Sequence, residues 1–273
     1  MTLVTESTTG LARVTAAFAR ARATGRGALI PYLCAGDPDR ATSAKLLAAA
    51  VASGADVVEL GIPYGDPLAD GPTIAAAAQR ALDAGTTIDD AIDLASTVSS
   101  VPVIMFTYLN PILQFGLDRF AAALAARGIA GAIVPDVPLE ETDAIRAAFA
   151  PYGLAFPQLV APTTPAARAE AIARKSDGFT YLVSRLGVTG AKKEPDFAWI
   201  AERVAALRRA SDTPLAIGFG IATADHVRSA CTISDGAIVG SALIDAYAGH
   251  AGDDAAERVR EFVARLAAGT RLA

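Results

Sequence analysis

Three carboxylates share one short, proline-rich segment of the 273-residue sequence. Glu59 ends an apolar run that begins at Asp56, and Asp66 and Asp70 follow in a segment punctuated by Pro63, Pro67 and Pro72. Strand alternation would place Glu59 on the same face as Val57. If that face is buried, desolvation raises the pKa of Glu59, as a general acid or base working near neutral pH requires.

Asp70 could then face Glu59 across a substrate, while Asp66 could order the loop by accepting backbone N–H groups. A second, purely structural interpretation fits the same residues. Glu59 could point outward and cap a helix, and the two aspartates could simply start Asp-Pro and Asp-Gly turns. Spacing alone leaves both interpretations open.

Glycines recur in three later loops, where they could let the backbone approach a phosphate. The segments are Gly187 to Gly190, Gly218-Phe219-Gly220 and Gly240-Ser241. Each glycine could equally serve only a tight turn. A dinucleotide fingerprint is disfavoured, because the third glycine is absent and the position is late in the chain.

The elements that must position these residues alternate regularly. Short apolar runs bounded by Gly, Pro or Asp predict eight buried strands: 29–33, 56–60, 103–108, 131–134, 154–160, 179–183, 215–217 and 236–239. The stretches between them are long enough for helices, so the strands should be parallel. We predict an α/β chain, a single (β/α)8 TIM barrel over residues 1–273, with a doubly wound open sheet as the alternative.

Helical spacing supports this organisation. Leu11, Val14 and Phe18 predict an extra N-terminal helix that could cap the barrel bottom, and a helix is expected at 41–52. Two further apolar faces lie at Phe197, Ile200, Val204 and Leu207, and at Val259, Phe262, Val263 and Leu266. In a barrel, function belongs to the loops after the strands.

Composition narrows the class of protein. Hydrophobic residues make up 52% of the chain and the net charge is −5, which disfavours nucleic-acid and anionic-membrane partners. No apolar stretch is long enough to span a bilayer, and the N-terminus does not read as a secretory signal. Cys34 and Cys231 suit a reducing cytoplasm better than a disulfide framework. With His226 and His250 as the only histidines, no metal site is expected, and His226 fits a structural role at a helix start.

Several motifs in order resemble the tryptophan synthase alpha chain family. They are PYLCAGDP (31–38), ELGIPYGDPLADGPTI (59–74), MFTYLNPILQFG (105–116), IVPDVPLEE (133–141), YLVSRLGVTGA (181–191), IGFGI (217–221) and GAIVGSALI (236–244). Gly65 stands where many members have serine, and Cys34 stands where threonine is common.

The resemblance implies a carbon–carbon lyase of tryptophan biosynthesis that cleaves indole-3-glycerol phosphate to indole and glyceraldehyde 3-phosphate. It makes Glu59 the acid/base and Asp70 the group that holds the indole N–H and stabilises positive charge on the ring. Asp66 becomes a loop-ordering residue. The substrate-binding residues implied are Tyr181, Thr189, Gly190, Phe219, Gly220, Gly240 and Ser241. Of these, Gly190, Gly220, Gly240 and Ser241 would bind the phosphate.

The resemblance also implies a lid and a partner. Residues 184–195 would close over the substrate, with Thr189 meeting the loop that carries Asp70. The chain would need no cofactor itself, and would join a beta chain carrying pyridoxal phosphate in an α2β2 heterotetramer. Asn110-Pro111 and the loop around Asp136 would lie near that interface.

Two other readings remain as alternatives. Another phosphate-binding barrel enzyme, such as indole-3-glycerol-phosphate synthase or a pentose-phosphate epimerase, would need a strand lysine or metal-binding histidines. A non-catalytic subunit that only activates a beta chain would not need both Glu59 and Asp70.

Overall fold

The computed structural model describes residues 9–184 and 197–272. Its eight strands form one parallel sheet in the order β4-β3-β2-β1-β8-β7-β6-β5, and an isolated parallel bridge between Gly131 and Ala155 joins β4 to the segment just before β5. The strands are β1 Ala28–Cys34, β2 Val58–Gly61, β3 Val103–Phe106, β4 Gly131–Ile133, β5 Gln158–Val160, β6 Thr180–Val183, β7 Leu215–Gly218 and β8 Gly236–Val239. The sheet therefore closes into the predicted barrel, and the open-sheet alternative is wrong.

Helices surround the barrel. Those of the described residues are α1 Gly10–Ala23, α2 Arg40–Ala52, α3 Pro72–Asp83, α4 Ile88–Ala95, α5 Leu109–Phe115, α6 Leu117–Ala126, α7 Asp143–Phe149, α8 Ala166–Lys175, α9 Phe197–Ala210, α10 Ala224–Ile233, α11 Ser241–Tyr247 and α12 Gly252–Gly269. Side chains of Thr9, Asp39, Thr87 and Thr223 cap four of them by accepting backbone N–H groups. In the described part of the chain, no helix is both long and apolar enough to cross a bilayer.

Helix α1 closes the N-terminal end of the barrel, as its apolar spacing predicted. Val14 and Phe18 are buried, and the Phe18 ring lies 5.6 Å from that of Phe179, just before β6. A Cβ at Gly236 would come within 3.1 Å of the Phe18 ring, so the first residue of β8 is one that leaves room for the Phe18 side chain of α1. Function is thereby confined to the opposite, C-terminal end.

Strand boundaries differ from the predicted ones where side chains or proline intervene. Strand β2 begins at Val58 because the Asp56 carboxylate turns back to accept the Leu29 N–H at 2.9 Å. Strand β3 ends at Phe106, since Tyr108 already flanks α5. Strand β5 begins at Gln158 and not near Leu154, because Pro157 has no N–H to contribute to a ladder.

Candidate active site

Glu59 lies inside the barrel at the C-terminal end of β2. Its side chain is 1% exposed, and its Oε1 atom has no hydrogen-bond partner among the described residues. Burial raises the pKa of Glu59 to about 8. The charge of Glu59 also raises the pKa of Tyr181, which sits on β6 directly across the barrel from β2. Glu59 therefore points inward, and the helix-cap alternative is wrong.

Asp70 reaches the same end of the barrel from the loop between β2 and α3. Its pKa is raised to about 6, mainly by burial, and a hydrogen bond with Tyr108 opposes part of that rise. The charge of Asp70 contributes to the raised pKa of Tyr32, the residue that pairs with Glu59 in the register of β1 and β2. Asp70 and Glu59 thus border the same interior region; Asp70 hydrogen-bonds with Tyr108, whereas Glu59 Oε1 has no partner among the described residues.

Tyr108 is a site residue that the sequence analysis treated only as the end of a strand. Its hydroxyl accepts the N–H of Ala69 at 3.0 Å and hydrogen-bonds to Asp70, so it fixes the tip of the Asp70 loop. The Tyr64 ring lies 5.5 Å from the Tyr108 ring, and the Tyr64 hydroxyl accepts from Asn110 at 3.1 Å. An aromatic residue two places after an interior strand was the signal available in the sequence.

An aromatic wall faces the carboxylates from β6 and β7. The rings of Tyr181 and Phe219 meet edge to face at 5.9 Å. Gly218 is required beside them, because a Cβ there would lie 2.3 Å from the Tyr181 hydroxyl. Phe219 has a φ of 73°, a left-handed conformation that is costly for a non-glycine residue, and the Ser184 hydroxyl bonds to its carbonyl. Two aromatic side chains near an acid are suited to contact a flat ring.

The glycine-bearing loops after β7 and β8 lie at the same end of the barrel. Gly220 has a φ of 81°, and Gly240 immediately precedes Ser241, the first residue of α11. These three residues are half-buried at the rim. The structure thus brings Gly220, Gly240 and Ser241 to the rim that Glu59 and Asp70 share. Thr189, Gly190 and nearly all of the expected lid lie outside the described residues.

Three other residues singled out in the sequence, Asp66, Cys34 and His226, show no feature of an acid/base group. Asp66 is exposed, and no hydrogen bond of the described residues includes its carboxylate, so its expected loop-ordering role finds no support. Cys34 is a buried free thiol whose pKa is raised by burial, as expected for a core residue. His226 donates its N–H to the cap residue Thr223 at 3.1 Å, which agrees with a structural role at the start of α10. The described residues contain no cluster of side chains that could hold a metal ion.

A closed (β/α)8 barrel, with a buried acid of raised pKa and a second carboxylate at its C-terminal end, defines an acid–base barrel enzyme. The family model for the tryptophan synthase alpha chain matches residues 18–271. The chain belongs to the tryptophan synthase alpha chain family, whose members are carbon–carbon lyases that act on indole-3-glycerol phosphate.

Relatives and solved structures agree with that placement. The chain is 46% identical to a tryptophan synthase alpha chain of Chloroflexus aurantiacus, over 86% of this chain and 90% of the relative. It is 48% identical to one of a Synechococcus species, over 83% and 86%. A structure of Mycobacterium tuberculosis tryptophan synthase matches with a TM-score of 0.89 and 37% identity, covering 96% of this chain and 99% of that one. The alpha subunit from Legionella pneumophila matches with a TM-score of 0.85 and 32% identity, over 94% and 98%.

Proposed function

We propose that this chain cleaves indole-3-glycerol phosphate by moving protons through Glu59 while Asp70 stabilises charge. The observation that carries the proposal is the difference between the two carboxyl groups. Burial raises the pKa of Glu59 to about 8 and that of Asp70 only to about 6. At neutral pH Glu59 is therefore mostly protonated and Asp70 mostly ionised, so the same end of the barrel supplies an acid and an anion.

The reaction follows from these two states. Glu59 donates its proton to C3 of the indole, which leaves a positive charge on the ring nitrogen, and the Asp70 carboxylate lowers the energy of that cation. The Glu59 carboxylate then removes the proton of the glycerol hydroxyl next to the ring. The carbon–carbon bond breaks as its electron pair returns to the ring, which gives indole and glyceraldehyde 3-phosphate, with Glu59 protonated again.

The surrounding residues supply binding. Tyr181 and Phe219 would contact the indole ring. Gly220, Gly240 and Ser241 would bind the phosphate by donating hydrogen bonds from backbone N–H groups and a hydroxyl. Tyr108 would keep Asp70 in place through its hydrogen bond. None of the eight strands contains a lysine or a histidine, so an indole-3-glycerol-phosphate synthase lacks its catalytic strand lysine there and a metal-dependent epimerase lacks its histidine ligands.

The pH dependence of indole release tests this proposal. The value of kcat/KM should rise as Asp70 ionises through about pH 6 and fall as Glu59 loses its proton through about pH 8. Each limb should approach a tenfold change per pH unit. A flat profile between pH 5 and 9, or no release of indole with a beta chain present, would rule out the proposed acid/base pair.

We further propose a tryptophan synthase beta chain, carrying pyridoxal phosphate, as the partner in an α2β2 assembly in the cytoplasm. Leu68 and Leu113 are 73% and 58% exposed, and both follow strands at the C-terminal end of the barrel. The Tyr64–Asn110 hydrogen bond and the Asp136 carboxylate, which accepts the Leu109 N–H at 3.0 Å, connect the three loops there. Such an apolar, preorganised rim suits a protein partner. The alpha chain itself would need no cofactor, because the proposed steps use only proton transfers.

A further inference from the structure

A fully buried carboxylate joins three elements beside the proposed site. Asp37, in the loop after β1, is 0% exposed and accepts two hydrogen bonds from Arg80 at 2.7 and 2.9 Å. The hydroxyl of Tyr247 donates a third at 2.8 Å. Arg80 belongs to α3, and Tyr247, itself 1% exposed, is the last residue of α11. We call Asp37, Arg80 and Tyr247 the Asp37 cluster.

The N-terminal end of α3 also contacts α11. The Thr73 hydroxyl of α3 donates to Asp245 of α11 at 3.2 Å. A Cβ at Gly240, the residue before α11, would lie 3.7 Å from Ile74 of α3. Helix α3 is therefore held near α11 at both of its own ends, by Arg80 of the Asp37 cluster near its C-terminal end and by Thr73 at its N-terminal end.

The position of these helices matters because each begins at one end of the proposed substrate. Helix α3 starts at Pro72, two residues after Asp70, and α11 starts at Ser241. A shift of α11 against α3 would change the distance between the group that holds the ring nitrogen and the residues that hold the phosphate. That distance determines how long a substrate must be to reach both groups at once.

Asp37 is fully buried while the Arg80 side chain is 38% exposed, and such an ion pair adds little net stability compared with apolar packing, but its geometry is narrow. Two parallel Arg–carboxylate hydrogen bonds allow few orientations, and the tyrosine fills another acceptor site of the carboxylate. Stability alone therefore accounts poorly for a charge at a 0% exposed position, whereas a fixed geometry between two helices accounts for it well.

We infer that the Asp37 cluster is a positioning device that sets the span between Asp70 and the phosphate-binding rim. Its residues touch no reacting atom; they act through α3 and α11. The inference rests on the proposed function and adds a specificity role to it: the cluster selects a ligand whose ring and phosphate are separated by a three-carbon chain.

Tyr247→Phe tests this with the full chain in complex with a beta chain. The variant removes one hydroxyl and leaves the Arg80–Asp37 pair intact. KM for indole-3-glycerol phosphate should rise about tenfold, and binding of glyceraldehyde 3-phosphate measured by calorimetry should weaken by a similar factor. The affinity for indole should stay within about twofold, because the ring end is not displaced. Thr73→Val, at a half-buried position, should act in the same direction by about threefold.

Ser234→Ala is the matched control, since it also removes a buried hydroxyl, which donates to the carbonyls of Ala230 and Gly236 at 2.8 and 3.0 Å near the opposite end of the barrel. It should lower Tm and leave KM and phosphate affinity unchanged. If Tyr247→Phe and Thr73→Val behave like this control, the cluster is merely structural and the inference is overturned. If Tyr247→Phe does not fold, Thr73→Val alone decides. Calorimetry with glyceraldehyde 3-phosphate separates this result from a failure of the proposed function, which would appear as absent turnover in the unmutated chain.

Discussion

The paired carboxylates at the N-terminal end of the barrel and the two carboxyl groups of the proposed site have opposite surroundings. At the N-terminal end, Asp56 accepts two hydrogen bonds from Arg26 at 3.0 and 3.1 Å and one from the Leu29 N–H at 2.9 Å. Asp235 likewise pairs with Arg22 and Arg208 and accepts the Leu215 N–H. At the C-terminal end, Glu59 Oε1 has no partner among the described residues, and Asp70 hydrogen-bonds with a tyrosine.

The difference separates stability from chemistry. A carboxylate with arginine and backbone partners is stabilised in its charged form and joins neighbouring strands. A carboxyl group buried without partners costs stability when charged, and holds its proton at a pH where others have lost theirs. Asp56, Asp235 and also Asp37 at the C-terminal end therefore have a structural role, whereas the surroundings of Glu59 suit proton transfer.

The largest expected effect is on catalysis by Glu59→Gln. The substitution keeps the shape of the side chain and removes the transferable proton, so indole release should fall by at least about 10²–10⁴. The assay is indole formation from indole-3-glycerol phosphate, with and without a beta chain. Near-normal turnover in the complex would show that Glu59 does not carry the proton.

Asp70→Asn should lower kcat/KM by about 10²–10³, because a neutral amide no longer stabilises a cationic ring nitrogen. Its pH profile should also lose the limb near pH 6. Retention of that limb in the variant would assign it to a group other than Asp70.

Stability should respond in opposite directions at the two ends. The pKa of Glu59 is raised in the folded chain, so the protonated form is favoured there, and its contribution to stability is lost as pH rises towards about 8. Glu59→Gln should therefore raise Tm relative to the unmutated chain, and more at pH 8 than at pH 5.

Asp56→Ala should do the reverse, with a loss of about 2 kcal/mol in the free energy of unfolding and normal kcat per folded molecule. Thermal unfolding at both pH values, with activity measured in parallel, decides the comparison. A loss of activity in Asp56→Ala that exceeds its unfolded fraction would contradict the separation of the two ends.

The smallest effect is expected at the surface. Leu113→Ser should weaken binding of a beta chain by several-fold, about 1 kcal/mol, without changing Tm. Tyr152→Ser is the control, since Tyr152 is 43% exposed and precedes β5 at the other end of the barrel. Titration of the beta chain against indole release measures both variants, and equal weakening by the two would place the partner elsewhere.

Much of the architecture was readable from the sequence. Alternating apolar runs and helical spacings predicted eight strands and the α1 helix at the N-terminal end of the barrel. Strands buried on both faces read as apolar runs, and helices buried on one face repeat apolar residues every three to four positions. The ends of β2, β3 and β5 were missed, because they depend on where Asp56 turns, where Tyr108 flanks a helix, and on Pro157. Those are interactions between segments or single-residue effects, which periodicity does not register.

The candidate site divides in the same manner. The sequence by itself determined which residue types stand at the strand ends, and its motifs singled out Glu59 and Asp70 and gave them their expected roles. Only the tertiary structure decided that Glu59 is buried facing inward, that Tyr108 restrains Asp70, and that Asp37 joins α3 to α11. Desolvation and hydrogen bonding depend on neighbours distant in the chain, so the pKa values of the two carboxyl groups differ only once the barrel has closed.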